Sequence, residues 1–175
     1  TGGATRTRLA AGKPAWRFDD LPDRRRGQPA AIGKVEAVLF CVKLGDAAEA
    51  AGAIRPLLGA ESAVITFQNG IEAPDIVAAE IGGAHVFPGS ANVAGAEVPE
   101  PGVVRHLGRY ARFVFGERDG RRSSRAVRIA EAFAAVAIKI HLSENIVTEL
   151  WEKFVLLAAA SGTIAACRAP LGAGR

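Results

Sequence analysis

The sequence predicts an α/β fold built on a mostly parallel sheet, followed by the start of an all-helical region. Three observations carry this. Val35, Ala37, Val38, Leu39, Phe40, Cys41 and Val42 form a nearly continuous apolar run, the pattern of a central strand buried on both faces. Strand, short loop and helix then alternate, which implies right-handed crossovers within one sheet. From Ser143 onward, apolar residues recur at helical spacing.

Taken in order, residues 1–33 are rich in Gly, Pro, Ala and Arg and show no sustained period, although Trp16 and Phe18 mark one short strand. This stretch reads as a poorly ordered or divergent arm. After the first apolar strand, Asp46 and Glu49 make a D-x-x-E arrangement that resembles a capping box, and an alanine-rich helix is expected over Ala47 to Leu58. Ala63 to Phe67 is a second buried strand, Gln68-Asn69-Gly70 a turn, and Glu72 to Ile81 a second helix. Three shorter strand candidates follow, 86–97, 102–107 and 110–116, and these are expected to pair as a mixed or antiparallel edge. Arg121 to Ala137 is an amphipathic helix with Val127, Ala130, Phe133 and Ala134 on one stripe, and Ala137 to Leu142 a last strand. In the next helix Ile146, Leu150, Phe154 and Ala158 recur every fourth residue, and Gly162 is expected to end or kink it before Thr163 to Cys167 begins another.

Composition narrows the function classes. With 175 residues and 49% hydrophobic composition, the chain can bury one substantial core. The net charge of +4 comes from residues 1–28, where seven basic residues face three acidic ones. Only two aromatic residues, Trp16 and Phe18, lie among them, too few for a base-stacking platform, so a nucleic-acid partner is not expected. No run of 18 apolar residues and no signal-peptide pattern occurs, so a cytoplasmic protein without a membrane partner is expected. Cys41 and Cys167 lie in apolar surroundings without metal spacing and read as buried thiols, with no metal site expected. The chain begins with Thr, contains no Met and stops just after an apolar helical pattern. It is therefore read as incomplete at both ends and expected to be inactive alone.

Three residues stand where chemistry is expected. In an open α/β sheet, ligands collect beyond the carboxyl ends of the strands. Lys43 closes the first strand, where a cation suits a phosphate, a ribose hydroxyl or a carboxylate, or merely meets solvent. Asn69 follows the second strand, offering a donor and an acceptor, or simply a turn. Lys153 lies beside the apolar stripe of the last helix; it either pairs with Glu149 in the favourable i,i+4 order or donates a proton to a developing alkoxide.

These segments resemble the ketopantoate reductase family (2-dehydropantoate 2-reductases). The resemblance rests on Ala37 to Lys43, Phe67 to Glu72, Pro101 to His106, Phe115 to Glu117 and Leu150-Trp151-Glu152-Lys153-Phe154, and it covers residues 35–172. It implies a Rossmann-type domain over 34–142, lacking its first strands, and the start of a helical substrate and dimerisation domain over 143–175. NADPH would lie in the cleft between them. Lys43, Asn69 and Gly95 match cofactor contacts, Asn69, Lys153 and Ser161 match substrate positions, and Lys153 matches the lysine that protonates the ketoacid oxygen. The implied reaction reduces 2-dehydropantoate to pantoate, in pantothenate biosynthesis, and the family plan leaves open a homodimer through the helical domain. Two departures stand out: Leu157 and Ser161 replace asparagines found in many members, and no GxGxxG loop is present. A related hydroxyacid or polyol dehydrogenase, or a non-catalytic remnant or interaction module, are the competing readings.

Overall fold

A computed structural model describes residues 29–93, 95–100, 103–107, 110–135 and 139–169, and the backbone of 15–17. It divides into two compact units, residues 1–24 with 92–111 and residues 25–91 with 112–175. Phe18, named above for the short strand, lies outside the described residues.

The larger unit holds a five-stranded sheet of β2 (Val35–Phe40), β3 (Leu58–Thr66), β4 (Val86–Val93), β7 (Ala111–Phe115) and β8 (Ile140–Leu142), in that spatial order. β2, β3 and β4 are mutually parallel, and β7 pairs parallel with β8. The smaller unit holds an antiparallel sheet in the order β1 (Ala15–Arg17), β6 (Val103–His106), β5 (Ala96–Glu100). The candidate edge of three strands is thus corrected. β4 continues the parallel sheet, β7 returns to it, and the antiparallel pairing among the three candidates is the β5–β6 hairpin. Between β4 and β5 the chain passes through Gly95, whose φ of 73° is open to glycine at little cost.

The side-chain alternation of β3 builds two cores. Ala63 and Ile65 face Phe87, Phe115, Ala126, Ile129 and Leu142, bringing in α3 (Ser124–Ala135). Val64 faces the other way, onto Phe40, Ala47, Ala51, Val77 and Val86, bringing in α1 (Ala47–Ala53) and α2 (Ala73–Ile81). Helices on both faces of the sheet give the α/β arrangement that the period of the sequence predicts. Each fully buried Val, Ile or Phe contributes about 1.5–3 kcal/mol relative to an exposed one.

Several local expectations change. α1 stops at Ala53 because Pro56 follows, and Arg55–Leu57 tightens into a 3-10 turn. Asp46 makes no side-chain cap, so the capping box is not formed. β2 is an edge strand among the described residues, with Phe40 its only buried residue and Leu39 49% exposed, so it is not the strand buried on both faces. Cys41, just past that edge strand, and Cys167, at the end of the last helix, are exposed rather than buried. α4 (Ile146–Cys167) continues past Gly162 and ends at Arg168 in the left-handed region. One glycine costs a helix about 1 kcal/mol, too little to break a run of alanines on either side. α4 is long and apolar enough, by length and composition, to cross a membrane. Ile146 and Leu150 in its first turns are buried, while Trp151, Val155 and Leu156 are exposed.

Candidate active site at the carboxyl edge of the sheet

Because β2, β3 and β4 run in parallel, the segments leaving their ends share one edge. β2 ends at Phe40, and three residues later Lys43 is extended and exposed before the 3-10 turn Leu44–Asp46. β3 ends at Thr66 and leads to Asn69, also exposed, in a turn completed by Gly70 at φ 95°. The register sets Thr66 opposite Pro88, so Gly89 to Val93 run on beyond the paired end of β3. Gly89 passes so close that an added Cβ would lie 2.9 Å from Thr66 O.

Lys153 reaches this edge from α4. Its Nζ donates to Ala91 O at 2.9 Å, on the extended part of β4. It is half-buried, and that burial pushes its pKa below the ordinary lysine value. The i,i+4 pair with Glu149 is not made: Glu149 instead meets the Arg112 guanidinium at 2.8 Å. Tertiary contacts outweigh the few tenths of a kcal/mol that a helix-surface pair offers.

Sequence reasoning treated Gln68 as part of a turn, but it is a staple. It is 9% exposed, and its Nε2 donates to Phe40 O at 2.9 Å and Val42 O at 3.0 Å. Both amide protons are thereby used on carbonyls, leaving Oε1 as a buried acceptor without a partner among the described residues. Phe67 N adds a bond to Phe40 O at 3.2 Å. The segments carrying Lys43 and Asn69 are thus tied together. Gln68→Leu is expected to cost about 1–2 kcal/mol in urea denaturation, since Val42 O loses its donor; an unchanged midpoint would remove the staple.

Lys43, Asn69 and Lys153 therefore lie at one sheet edge. Ser161 is exposed two turns further along α4, on the face of Lys153 and Leu157. Gly95 belongs to the smaller unit, where its carbonyl accepts from Leu107 N at 2.6 Å. An exposed cation, an exposed amide and a half-buried ammonium can together hold an anionic, carbonyl-bearing ligand and donate a proton to it.

The family model of ketopantoate reductase PanE/ApbA matches residues 12–120. The chain belongs to the ketopantoate reductase family. The match takes in Lys43, Asn69 and Gly95, and ends before Lys153. Among curated relatives, an uncharacterized oxidoreductase, YkpB, of Bacillus subtilis is 28% identical over 140 residues, 80% of this chain and 46% of that protein. A 2-dehydropantoate 2-reductase of Mesorhizobium japonicum is 29% identical over 151 residues, 75% of this chain and 46% of its own length. The chain thus spans about half the length of the curated relatives it matches. A crystal structure of a 2-dehydropantoate 2-reductase from Porphyromonas gingivalis superposes with a TM-score of 0.77 at 24% identity, covering 83% of this chain and 50% of that one, a likeness of fold. The mostly parallel sheet with helices on both faces, followed by the helix from Ile146, agrees with that fold.

Proposed function

We propose that this chain carries the cofactor edge and the proton donor of a cytoplasmic NADPH-dependent 2-ketoacid reductase, with 2-dehydropantoate as the substrate and pantoate as the product. Residues 34–142 serve as the dinucleotide-binding part, and the helix from 143 opens the substrate domain. The observation that carries the reading is the half-buried Lys153 ammonium held at the carboxyl edge beside β4. Family membership supports the reaction class.

Lys43 and Asn69 fit a dinucleotide by their chemistry, a cation for phosphate or ribose oxygens and an amide that both donates and accepts. The chemistry that a bound nicotinamide supplies is hydride transfer to the carbonyl carbon. Lys153 does the rest: its ammonium hydrogen-bonds the carbonyl oxygen, stabilises the charge that develops there and delivers a proton. Ala91 O orients that ammonium between turnovers.

The test grafts this chain into the Mesorhizobium relative in place of the stretch it matches and follows NADPH oxidation with 2-dehydropantoate. Lys43→Ala and Asn69→Ala are each expected to weaken NADPH or ketoacid binding about tenfold; parental titrations for both would refute the assigned edge. The acid must be protonated, so kcat should fall as pH rises through the lowered Lys153 pKa. That alkaline limb is expected below the ordinary lysine range. Stability has the opposite slope there. The unfolded chain holds this proton more tightly, so stability rises with pH between the lowered folded value and the unfolded one, and is flat outside that window.

A further inference from the structure

Glu149 and Lys153 have the order and spacing that favour an ion pair along a helix, yet the two side chains part. Glu149 Oε2 lies 2.8 Å from the Arg112 guanidinium of β7, and Lys153 Nζ donates to Ala91 O of β4. β7 and β4 are neighbours in the sheet, so one face of α4 meets both strands at once. We infer that Arg112 is a positioning residue for Lys153: by holding Glu149 it keeps the ammonium free of a carboxylate and directed to the carboxyl edge of the sheet.

The inference rests on the reading of Lys153 as proton donor, and it explains how a lysine four residues from a glutamate stays a usable acid. A carboxylate within about 4–6 Å favours the charged form and raises a lysine pKa, which weakens it as an acid at neutral pH. Here burial is the one cause of the Lys153 shift, and it acts downward. The charged groups around the lysine fit this account. Glu149, with 19% of its side chain exposed, is taken by Arg112, and Glu152 is exposed on its own helix. β4 presents a carbonyl. On the other flank of α4, beside Trp151, Asp75 and Arg118 hold each other at 2.6 Å. Released from Arg112, Glu149 is the carboxylate placed to capture Lys153, turning the ammonium back along the helix and away from Ala91.

The experiment is an NMR pH titration of the 175-residue chain labelled with 13C at lysine Cε. The chain has five lysines, and the Lys153 signal is assigned by its loss in Lys153→Arg. Arg112→Met is expected to raise the Lys153 midpoint by about one pH unit, whereas Arg112→Lys, which keeps the charge, leaves it near the parental value. In a Glu149→Gln background the same Arg112→Met change should move the midpoint far less, because no carboxylate is released. The double variant contains neither unpaired charge, so it remains measurable if Arg112→Met alone does not fold. A parental midpoint in Arg112→Met, or an equal shift with and without Glu149, overturns the assignment. Turnover of Lys153→Ala bears on the catalytic reading and this titration bears on Arg112, so either can fail without the other.

Discussion

Lys153→Ala is expected to lower kcat by at least about 10²-fold in the grafted reductase, with its melting temperature close to that of the parent. Hydride addition to a ketone leaves negative charge on oxygen, and an ammonium at that point both stabilises the charge and supplies the proton. The structural cost of removing it is small, because the single described bond of its Nζ, to Ala91 O, is set against the burial of a charge that the variant no longer carries. Stability and turnover therefore separate. The alkaline limb of kcat should vanish with the lysine, and Glu149→Ala should leave most of the turnover in place. Near-parental kcat in Lys153→Ala would reduce this residue to a helix contact and remove the mechanism.

A large effect on stability is expected at Gly116. This residue sits just past β7, where its N–H donates to Pro88 O and where Ser143 N donates to Phe115 O at 2.8 Å. The backbone leaving β8 is thereby pinned across it. An added Cβ would lie 2.3 Å from Ser143 O and 3.4 Å from Ile146 Cβ, the first buried residue of α4. Neither neighbour is the loose end of a side chain, so the strand exit or the helix must move. Overpacking of this kind costs about 3 kcal/mol, which for a chain of this size lowers the melting temperature by about 10 °C. Gly162→Ala is the matched control. Nothing lies within 4 Å of its new Cβ, and inside α4 alanine should stabilise by about 1 kcal/mol. A neutral Gly116→Ala would show that the β8-to-α4 junction is looser than its backbone bonds imply.

What the sequence by itself determined was the kind of fold and the places where a ligand would meet it. The nearly continuous apolar run from Ala63 to Phe67 and the amphipathic stripe of α3 are local properties, written in which side chains must leave water, so the α/β alternation was legible. Lys43 and Asn69 could be placed at one sheet edge for the same reason, since each directly follows a strand of a parallel pair. The tertiary structure alone decided the rest, because it depends on partners far apart in the chain. Val86 to Val93 joined the parallel sheet, rather than a mixed or antiparallel edge, through Ile65 and Phe87, 22 positions apart. Gln68 became a staple because the end of β2 presents two carbonyls to it. Lys153 was separated from Glu149 by Arg112, 37 residues away in the chain, and by a carbonyl of β4. Helix spacing states which side chains are able to meet, and the stronger, partly desolvated partners on neighbouring strands decide which of them do.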